Sequence, residues 1–249
     1  MRLLCTNDDG YMARGLEVLA EAVGSLGTVA VVAPDREQSA TSHSLTIHRP
    51  LRYRQSRRGF YVVDGTPTDC VIMAVNEVLG YHPDFCLSGV NHGANMGEDV
   101  LYSGTVAAAM EATVLGIPAV ALSYTGEDYE TLSSWHGLLE GFLRQILTRE
   151  AFPPHTLLNV NLPAIPADEV KGIRVTSLGR RQYSDSITKA LDPKGREYYW
   201  IGGDISAWAG GEEADYRAVQ SGFISVTPLK LDLTNYELLE EIRRWDLAL

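Results

Sequence analysis

Two adjacent carboxylates stand directly after the first apolar run of the chain. Residues 3–5 read Leu-Leu-Cys, and Asn7, Asp8, Asp9 and Gly10 follow. A short apolar run of this kind is typical of a buried strand, and ligands bind at the carboxyl ends of strands in open α/β sheets. Neighbouring carboxylates repel each other unless a cation lies between them, and oxygen ligands suit Mg²⁺ or Mn²⁺. On this stretch alone, a metal site and an ordinary surface turn stay equally open.

Two later loops offer oxygen donors of the same kind. Ser39 lies in a polar loop after an apolar run at residues 29–33, and Asn91 and Asn95 follow another run at residues 85–87. Each run predicts a buried strand, and the carboxyl ends of parallel strands meet at one edge of a sheet. These loops are therefore expected to converge with the two carboxylates. A hydroxyl and an amide oxygen would extend an octahedral Mg²⁺ or Mn²⁺ site and leave positions for water and a phosphate oxygen.

A third cluster of small residues precedes a strong helix former. Ser103, Gly104 and Thr105 come directly before residues 106–112. Backbone N–H groups at such a helix start lie at the positive end of the helix dipole, which makes an anion or phosphate pocket. Ordinary capping of a core helix explains the same residues equally well. Neither a G-x-G-x-x-G fingerprint nor a P-loop is present, which disfavours a dinucleotide site.

Strands and helices must alternate to bring these loops together. Helical spacing after Gly10, after Thr66 and over residues 131–148 separates the apolar runs. This order predicts an α/β fold, in which a three-layer, Rossmann-like, mostly parallel sheet has helices on both faces. Residues 1–166 are assigned to this catalytic core. Alternation of apolar and polar residues over 45–54 predicts an exposed strand beside it.

Residues 167–249 form the second part of the predicted organisation. Residues 179–221 are polar, rich in Tyr, Gly and charge, and show no helical periodicity. Such a segment buries little by itself, so we interpret it either as a flexible lid or as an extended β arm that packs on another subunit. Residues 223–226 predict a strand that returns to the sheet, and residues 235–245 predict a short amphipathic terminal helix.

Composition limits the partners. The 249-residue chain has a formal net charge of −11, which opposes binding to a nucleic-acid polymer but permits a small anionic substrate held by a metal ion. Five arginines fit a solvated hairpin better than an anion-steering surface: Arg49, Arg52, Arg54, Arg57 and Arg58. The chain enters its first apolar run without a basic leader, and no stretch reaches the ~18 apolar residues of a spanning helix. We therefore expect a soluble cytoplasmic protein with no membrane partner.

The cysteines and two of the histidines are also candidate functional residues. Cys5, Cys70 and Cys86 lie in apolar runs and are expected to be buried hydrophobic residues rather than disulfide or zinc partners. His43 and His92 lie in the candidate loops, where each is either a general acid for the leaving group or, more simply, an ordinary loop histidine.

Two alternative functions use the same crevice. A covalent aspartyl-phosphate at Asp8 is the lesser one, because enzymes of the dehalogenase type carry Asp-x-Asp and the carboxylates here are adjacent. A non-catalytic nucleotide-binding module is a rival from another class. It has no need for two carboxylates beside a phosphate pocket, where they would repel the ligand unless a metal ion is bound.

Eight short motifs occur in one order along nearly the whole chain. They are TNDDG at 6–10, VAPD at 32–35 with QS at 38–39, GTP at 65–67 with DCV at 69–71, SGVN at 88–91 with Gly93, Asn95 and Gly97, YSGTV at 102–106, GIP at 116–118, NVNLP at 159–163 and SVTPL at 225–229. One such motif is weak. Together they resemble the SurE family, the survival-protein-E nucleotidases.

The resemblance implies a function and an architecture. It implies a metal-dependent phosphatase that acts on nucleoside 5′- and 3′-monophosphates and sometimes on short polyphosphate. It also implies a Rossmann-like core whose C-terminal elements, the β arm and terminal helix, are exchanged between subunits of a homodimer or homotetramer. One divalent ion per subunit, Mg²⁺ or Mn²⁺, is expected.

The resemblance also assigns residues. The implied metal ligands are Asp8, Asp9, Ser39 and Asn95, of which Asp8, Asp9 and Asn95 are expected to be catalytic. The implied phosphate-binding residues are Asn91, Ser103, Gly104 and Thr105.

The chain departs from the family pattern at a few positions. It carries Ala13-Arg14-Gly15 where the family usually has Ala-Pro-Gly, Ala214-Asp215 in place of Thr-Asp, and Cys5 in place of a small β-branched or hydroxyl residue. No implied ligand is lost. Arg14 adds a charge beside the expected cleft and leaves substrate preference open, including the choice of base and of the 5′ or 3′ phosphate.

Overall fold

The structure, a computed structural model, describes residues 1–183, 187–201, 205–245 and 247. Its strands are β1 (Arg2–Thr6), β2 (Thr28–Pro34), β3 (Tyr53–Gln55), β4 (Tyr61–Val63), β5 (Phe85–His92), β6 (Ala119–Tyr124), β7 (Thr156–Leu162), β8 (Ile173–Val175), β9 (Arg180–Tyr183), β10 (Ile187–Leu191), β11 (Glu197–Ile201), β12 (Ile205–Ala209) and β13 (Ile224–Lys230). Its α-helices are α1 (Arg14–Val23), α2 (Pro67–Met73), α3 (Gly104–Val114), α4 (Tyr129–Ser133), α5 (His136–Leu147), α6 (Asp215–Gln220) and α7 (Leu239–Arg243). A π-helical turn at Ala74–Val78 and 3₁₀ turns at Gly97–Leu101, Ala167–Glu169 and Tyr236–Leu238 complete the described elements.

Nine of these strands form one mixed sheet in the order β3-β4-β2-β1-β5-β6-β7-β13-β8. Strands β4, β2, β1, β5, β6 and β7 run parallel, whereas β13 returns antiparallel to β7 and β3 is antiparallel to β4. The sheet carries helices on both faces. The prediction of a three-layer, mostly parallel α/β fold is therefore confirmed.

The first strand shows how the two helical layers are held. Leu3 and Cys5 pack with α1 and α5 on one face, and Leu4 packs with α2 and α3 on the other. All three side chains are fully buried, as expected for a central parallel strand. Burying each leucine contributes about 1.5–3 kcal/mol, so β1 is a rigid base for the residues that follow it.

Buried cysteines behave as predicted. Cys5, Cys70 and Cys86 are buried and unpaired, and burial raises the pKa of the Cys5 thiol to about 12. Thiols in this state are poor nucleophiles and poor metal ligands.

The start of α2 also agrees with its sequence signals. The Thr66 hydroxyl accepts from the Asp69 N–H at 3.1 Å, and the Asp69 carboxylate accepts from the Thr66 N–H at 2.8 Å. This reciprocal pair is a capping box, and Pro67 occupies the first helical turn.

Two predicted elements differ in their bounds from the structure. The strand expected over 45–54 is limited to Tyr53–Gln55, because only this part reaches a partner strand, β4. The helix expected over 131–148 is divided into α4 and α5, and the break places the fully buried Trp135 where its indole N–H donates to the Ile165 carbonyl at 3.0 Å.

The polar segment at 179–221 is more regular than its sequence predicts. It holds an antiparallel β10–β11 hairpin, an antiparallel β9–β12 ribbon and the helix α6, which was not expected. Residues 184–186 and 202–204 of this segment lie outside the described residues. Within the described part of the chain, none of the helices has the length and apolar character that crossing a lipid bilayer requires.

Candidate functional site

The predicted donors converge on one cleft. The carboxyl ends of β2, β1 and β5 are neighbours in the sheet, and a cleft of about 570 Å³ opens beside them. Its lining includes Asp8, Ser39, Asn91, Asn95 and Ser103. Three separate loops and the start of α3 therefore meet at one place, as the parallel sheet requires.

Asp8 is the most buried acid in the lining of this cleft, with 4% of its surface exposed. Its Oδ1 accepts a hydrogen bond from the Thr105 hydroxyl. Burial raises the pKa of Asp8 to about 6, and the Asp9 charge acts in the same direction, while hydrogen bonds from Thr105 oppose the rise. A carboxylate in this environment gains strongly from a nearby cation.

Asp9 lies beside the cleft rather than in its lining. Its Oδ2 accepts from the His92 backbone N–H at 3.1 Å, which ties the loop after β1 to the end of β5. Burial raises the pKa of Asp9, and the bond from His92 partly offsets that rise. Oδ1 has no hydrogen bond within the described part of the chain and remains available to a ligand.

Asn95 is fixed by a network that sequence reasoning did not assign. Its Nδ2 donates to the Ser123 hydroxyl at 2.8 Å, and its Oδ1 has no hydrogen bond among the described residues. Its backbone N–H donates to Asn161 Oδ1 at 2.9 Å, and its backbone carbonyl accepts from Asn159 and Asn161 at 2.8 and 2.9 Å. Side-chain amides thus orient Asn95 through both its backbone groups.

The signal for these supporting residues is visible in β7. Asn159 and Asn161 are two residues apart in an otherwise apolar strand, so they face the same side of the sheet, and both are fully buried. Buried amides must find hydrogen-bond partners. Their spacing therefore indicates a polar network, although the sequence does not say which loop completes it.

Ser39 lines the cleft but is exposed, and its hydroxyl donates to Glu37 Oε1 at 2.7 Å. The loop itself is held close to the site, because the Gln38 N–H donates to the Asp8 carbonyl at 2.7 Å and the Ser42 N–H donates to the Tyr102 carbonyl at 3.1 Å. The structure therefore brings Ser39 to the cleft with its hydroxyl directed at Glu37.

Three residues at the start of α3 make different contacts. The Ser103 hydroxyl accepts from the Val106 N–H at 3.1 Å and caps the helix. Thr105 is fully buried and directs its hydroxyl to Asp8. A Cβ atom on Gly104 would lie 2.8 Å from Asp8 Cβ, so only glycine permits this close packing of helix and carboxylate.

Asn91 is buried at the cleft and donates from Nδ2 to the Gly93 carbonyl at 2.8 Å. This bond stabilises the turn that follows β5. Its carbonyl Oδ1 has no hydrogen bond within the described residues.

The two candidate histidines occupy different places. His92 lines the cleft, and its backbone N–H contacts Asp9. His43 is outside the lining and pairs through Nε2 with Glu111 Oε2 at 2.8 Å. The structure therefore gives His43 a partner on α3 and does not place it at the cleft.

Arg14 is also outside the cleft lining. It pairs with Glu17 at 2.7 Å and donates to the Ser133 hydroxyl at 3.3 Å. The following Gly15 packs so closely that a Cβ atom there would lie 1.9 Å from the Val90 carbonyl oxygen. Arg14 thus joins α1 to α4 near the site.

Several lining residues were missed by sequence reasoning. Asp99 and Tyr102 lie in the loop between β5 and α3, Ala40 and Ala94 add apolar surface, and Ile201 reaches the cleft from β11. Loops and distant hairpins carry no periodic signal, so neighbours of this kind appear only with the fold.

The donor set fits a hard divalent cation. Asp8, Asp9 Oδ1 and Asn95 Oδ1 offer oxygen atoms only, which is the chemistry that Mg²⁺ and Mn²⁺ prefer. Among the described residues no cluster of three or more His, Cys, Asp and Glu side chains could hold a metal. A site here therefore depends on amide or hydroxyl oxygens beside the two carboxylates.

Fold and site together define the class: a Rossmann-like α/β protein with an oxygen-donor cleft at the carboxyl ends of its parallel strands. A family model described as Survival protein SurE matches residues 3–185. The chain belongs to the SurE family, so the resemblance seen in its eight motifs is confirmed.

Similar proteins match this chain from end to end. A relative from Gemmatimonas aurantiaca named 5′-nucleotidase SurE is 56% identical, with 98% of each chain covered. A relative of the same name from Geotalea uraniireducens is 49% identical, with 100% of each chain covered. The crystal structure of the SurE protein from Aquifex aeolicus is 44% identical, with a TM-score of 0.88 over 99% of this chain and 100% of that chain.

Proposed function

We propose that the chain is a divalent-metal-dependent phosphomonoesterase that hydrolyses nucleoside 5′- and 3′-monophosphates to nucleoside and phosphate. The observation that carries this proposal is the buried Asp8, which meets the start of α3 in the cleft that Asn95 also lines. Relatives between 46% and 56% identical carry the name 5′-nucleotidase SurE, which supports the nucleotide as substrate. Short-chain polyphosphate is a further proposed substrate.

The proposed metal site holds one Mg²⁺ or Mn²⁺ ion per subunit. Its ligands are Asp8, Asp9, Ser39 and Asn95, with Ser39 changing rotamer from its contact with Glu37. When bound, the ion would polarise the phosphoryl group and acidify a water molecule. One of the two carboxylates, Asp8 or Asp9, would also accept the proton of the attacking water.

The phosphate is oriented by the start of α3 and by Asn91. The backbone N–H of Gly104 lies in the first turn of an 11-residue helix, where the helix dipole favours a phosphoryl oxygen. Ser103 caps that turn, and Thr105 keeps Asp8 in place. Ala40, Ala94 and Ile201 supply apolar surface along the cleft for the nucleoside.

A phosphate-release screen tests the proposal directly. The substrates are 5′-AMP, 5′-GMP, 3′-AMP and tripolyphosphate, each with Mg²⁺, with Mn²⁺ and with excess EDTA. The expected result is release of phosphate from both kinds of monophosphate with metal and none with EDTA. Binding of AMP without phosphate release under every metal condition would support the non-catalytic rival. A phosphate group trapped on Asp8 would revive the aspartyl-phosphate alternative.

We also propose a homodimer or homotetramer in which the arm and terminal helix pack on another copy. The β10–β11 hairpin supports this assembly, because it leaves large apolar side chains in solvent. Trp200 is 67% exposed, and Ile187 and Leu191 are exposed on the partner strand. Apolar surface of this kind marks an interaction site.

A further inference from the structure

The loop that carries Asn95 is held from two sides. On the sheet side, the amides of Asn159 and Asn161 bind its backbone. On the other side, residues 96–99 contact a group that we call the arm root: Gly179, Arg181, Trp208 and α6. Neither the proposed metal site nor the phosphate pocket includes any part of this arm root.

Asp215 is the centre of the arm root. Its carboxylate is fully buried. Oδ2 accepts from the Gly97 N–H at 2.9 Å, while Oδ1 accepts from the Gly179 N–H at 2.9 Å and the Tyr216 N–H at 2.8 Å. One side chain therefore joins the cleft loop, the residue that precedes β9 and the start of α6. These N–H groups supply the stabilisation that a buried carboxylate requires.

The two backbones joined by Asp215 are in close contact. Gly97 has a φ of +56°, and a Cβ atom on it would lie 2.8 Å from the Gly179 carbonyl oxygen. A left-handed conformation and this close approach both favour glycine. The loop thus packs tightly against the arm root, and the Gly97 N–H lies two residues after Asn95.

Further contacts extend this joint toward the cleft. The Arg181 N–H donates to Glu98 Oε2 at 2.7 Å, and the Arg181 guanidinium pairs with Asp99, which lines the cleft. Met96 packs with Ala214, Tyr216 and Val219. The Trp208 ring stacks on Tyr216, with centroids 5.3 Å apart. Polar and apolar contacts therefore hold the same short loop.

We propose that Asp215 is a positioning residue of the site: it holds residues 95–99 in the conformation in which Asn95 lines the cleft, which makes the arm root part of the catalytic unit. The proposal rests on the proposed function for its effect on catalysis. It goes beyond that function because Asp215 touches neither the proposed ligands nor the cleft, and because the arm gains a function inside its own subunit.

Asp215→Asn tests the proposal with little change in size. The new amide would place an N–H₂ group against a backbone N–H, so one of the contacts to Gly97 or Gly179 is lost. We expect the Mn²⁺ dissociation constant, measured by calorimetry, to rise about tenfold or more, the range typical of residues that support a metal ligand from outside. We also expect faster hydrogen exchange at the amides of residues 96–99, while KM for AMP at saturating Mn²⁺ stays within about twofold of the parent value.

Asp192→Asn is the matched control. Asp192 Oδ1 accepts from the Lys194 and Arg196 N–H groups at 2.8 and 2.9 Å in the turn of the β10–β11 hairpin. It makes the same kind of contact within the arm but has none to the cleft loop. Its substitution is expected to leave Mn²⁺ affinity and exchange at residues 96–99 unchanged.

Glu98→Ala is the second variant, and it keeps the test decisive if Asp215→Asn folds poorly. Glu98 is exposed, so its loss is compatible with folding, yet it removes the bond from the Arg181 N–H. We expect the Mn²⁺ dissociation constant and the hydrogen exchange at residues 96–99 to increase in this variant too, but by less than in Asp215→Asn. Parent-like exchange at residues 96–99 in the folded variants would overturn the proposal, whatever their activity. A parent enzyme that releases no phosphate would instead contradict the proposed function, and the exchange data would still decide the role of Asp215.

Discussion

At Asp8, burial and hydrogen bonding act in opposite directions. Burial disfavours the charged form, Thr105 stabilises it, and the net effect raises the pKa to about 6. Near neutral pH the protein therefore holds a costly negative charge at the point where the start of α3 approaches. This is the expected character of a residue kept for binding a ligand rather than for stability.

The buried charge of Asp8 should lower the free energy of unfolding of the metal-free protein. A carboxyl group with a folded pKa near 6 and an unfolded pKa of about 3.9 stabilises the fold below pH 4, and this stabilisation is lost as the pH rises through 6. Asp8→Asn removes the charge. We therefore expect the variant to exceed the parent in free energy of unfolding by about 1–3 kcal/mol at pH 7.5, with a much smaller difference at pH 4. Urea titrations in EDTA at both pH values measure this, and a difference independent of pH would contradict it.

Asn161 is predicted to act through Asn95. Asn161→Ala removes an acceptor from the Asn95 N–H and a donor from its carbonyl. We expect a loss of about 10- to 100-fold in kcat/KM for AMP and of about 1–3 kcal/mol in stability, because buried polar groups are left unpaired.

The matched control for this change is Asn76→Ala. Asn76 donates one hydrogen bond to the Ile72 carbonyl at 3.0 Å in an exposed position. Its substitution is expected to leave kcat/KM unchanged. An Asn161→Ala enzyme that matched this control in activity would show that Asn95 needs no such support.

The sequence predicted several of the residues that lie at the cleft, but it did not predict the direction in which their side chains point. Asp8, Ser39, Asn91 and Asn95 were placed together from their positions after apolar runs, and the structure brings them to one cleft. The sequence could not say that the Thr105 hydroxyl binds Asp8 or that the Ser39 hydroxyl binds Glu37. Such rotamers depend on neighbours from other parts of the chain.

At the scale of single elements, the start of α3 governs the site. A helix start usually tolerates many residues, but a Cβ atom on Gly104 would lie 2.8 Å from the Cβ of Asp8. Gly104→Ala is expected to push the helix from the carboxylate and to lower kcat by about 100-fold, as small misplacements in an active site do. Steady-state phosphate release from AMP measures this change.

Gly141→Ala provides the control, because Gly141 lies in α5 and an added Cβ would meet nothing within 4 Å. This variant should gain about 0.5–1 kcal/mol of stability from higher helix propensity and keep its activity. If Gly104→Ala behaved in the same way, the close packing of α3 on Asp8 would have no part in catalysis.

Local sequence signals predicted an element well where contacts with distant residues favour the same structure. The capping box of α2 was readable from Thr66, Pro67 and Asp69. Helical periodicity alone did not reveal the break between α4 and α5, where the buried Trp135 finds its partner at Ile165. That contact spans 30 residues and lies beyond any local pattern.

For the whole molecule, the exposed β10–β11 hairpin is the surface through which we propose that copies of the chain associate. A deletion of residues 179–221 would remove Asp215 together with the hairpin, so it cannot separate assembly from positioning. Trp200→Ser separates the two, because it changes the hairpin and leaves Asp215 in place. We expect it to weaken self-association by about 10-fold or more, as loss of an aromatic anchor does, and light scattering over a concentration series measures this. Leu233→Ser, at a position 91% exposed outside the arm, should leave the mass unchanged, and equal masses for parent and Trp200→Ser would contradict the proposed interface.

The sequence predicted the parallel sheet, and the edge at which its polar loops meet, because both follow from apolar runs in order. It did not predict the contact between the cleft loop and the arm root. Gly97 and Asp215 are 118 residues apart, and a buried aspartate at the start of a short helix resembles an ordinary cap. Hydrogen bonds between residues so far apart in the sequence depend on the tertiary structure, which no local pattern predicts.

We propose that the carboxylates after β1 make this cleft a metal-dependent phosphatase site. The most direct measurement compares phosphate release from 5′-AMP by the parent and by Asp8→Asn in saturating Mn²⁺, after circular dichroism has shown both to be folded. We expect kcat to fall by about 1,000-fold or more in Asp8→Asn, since loss of a charged group in such a site removes several kcal/mol of transition-state stabilisation. Parent-like turnover by the folded variant would contradict it.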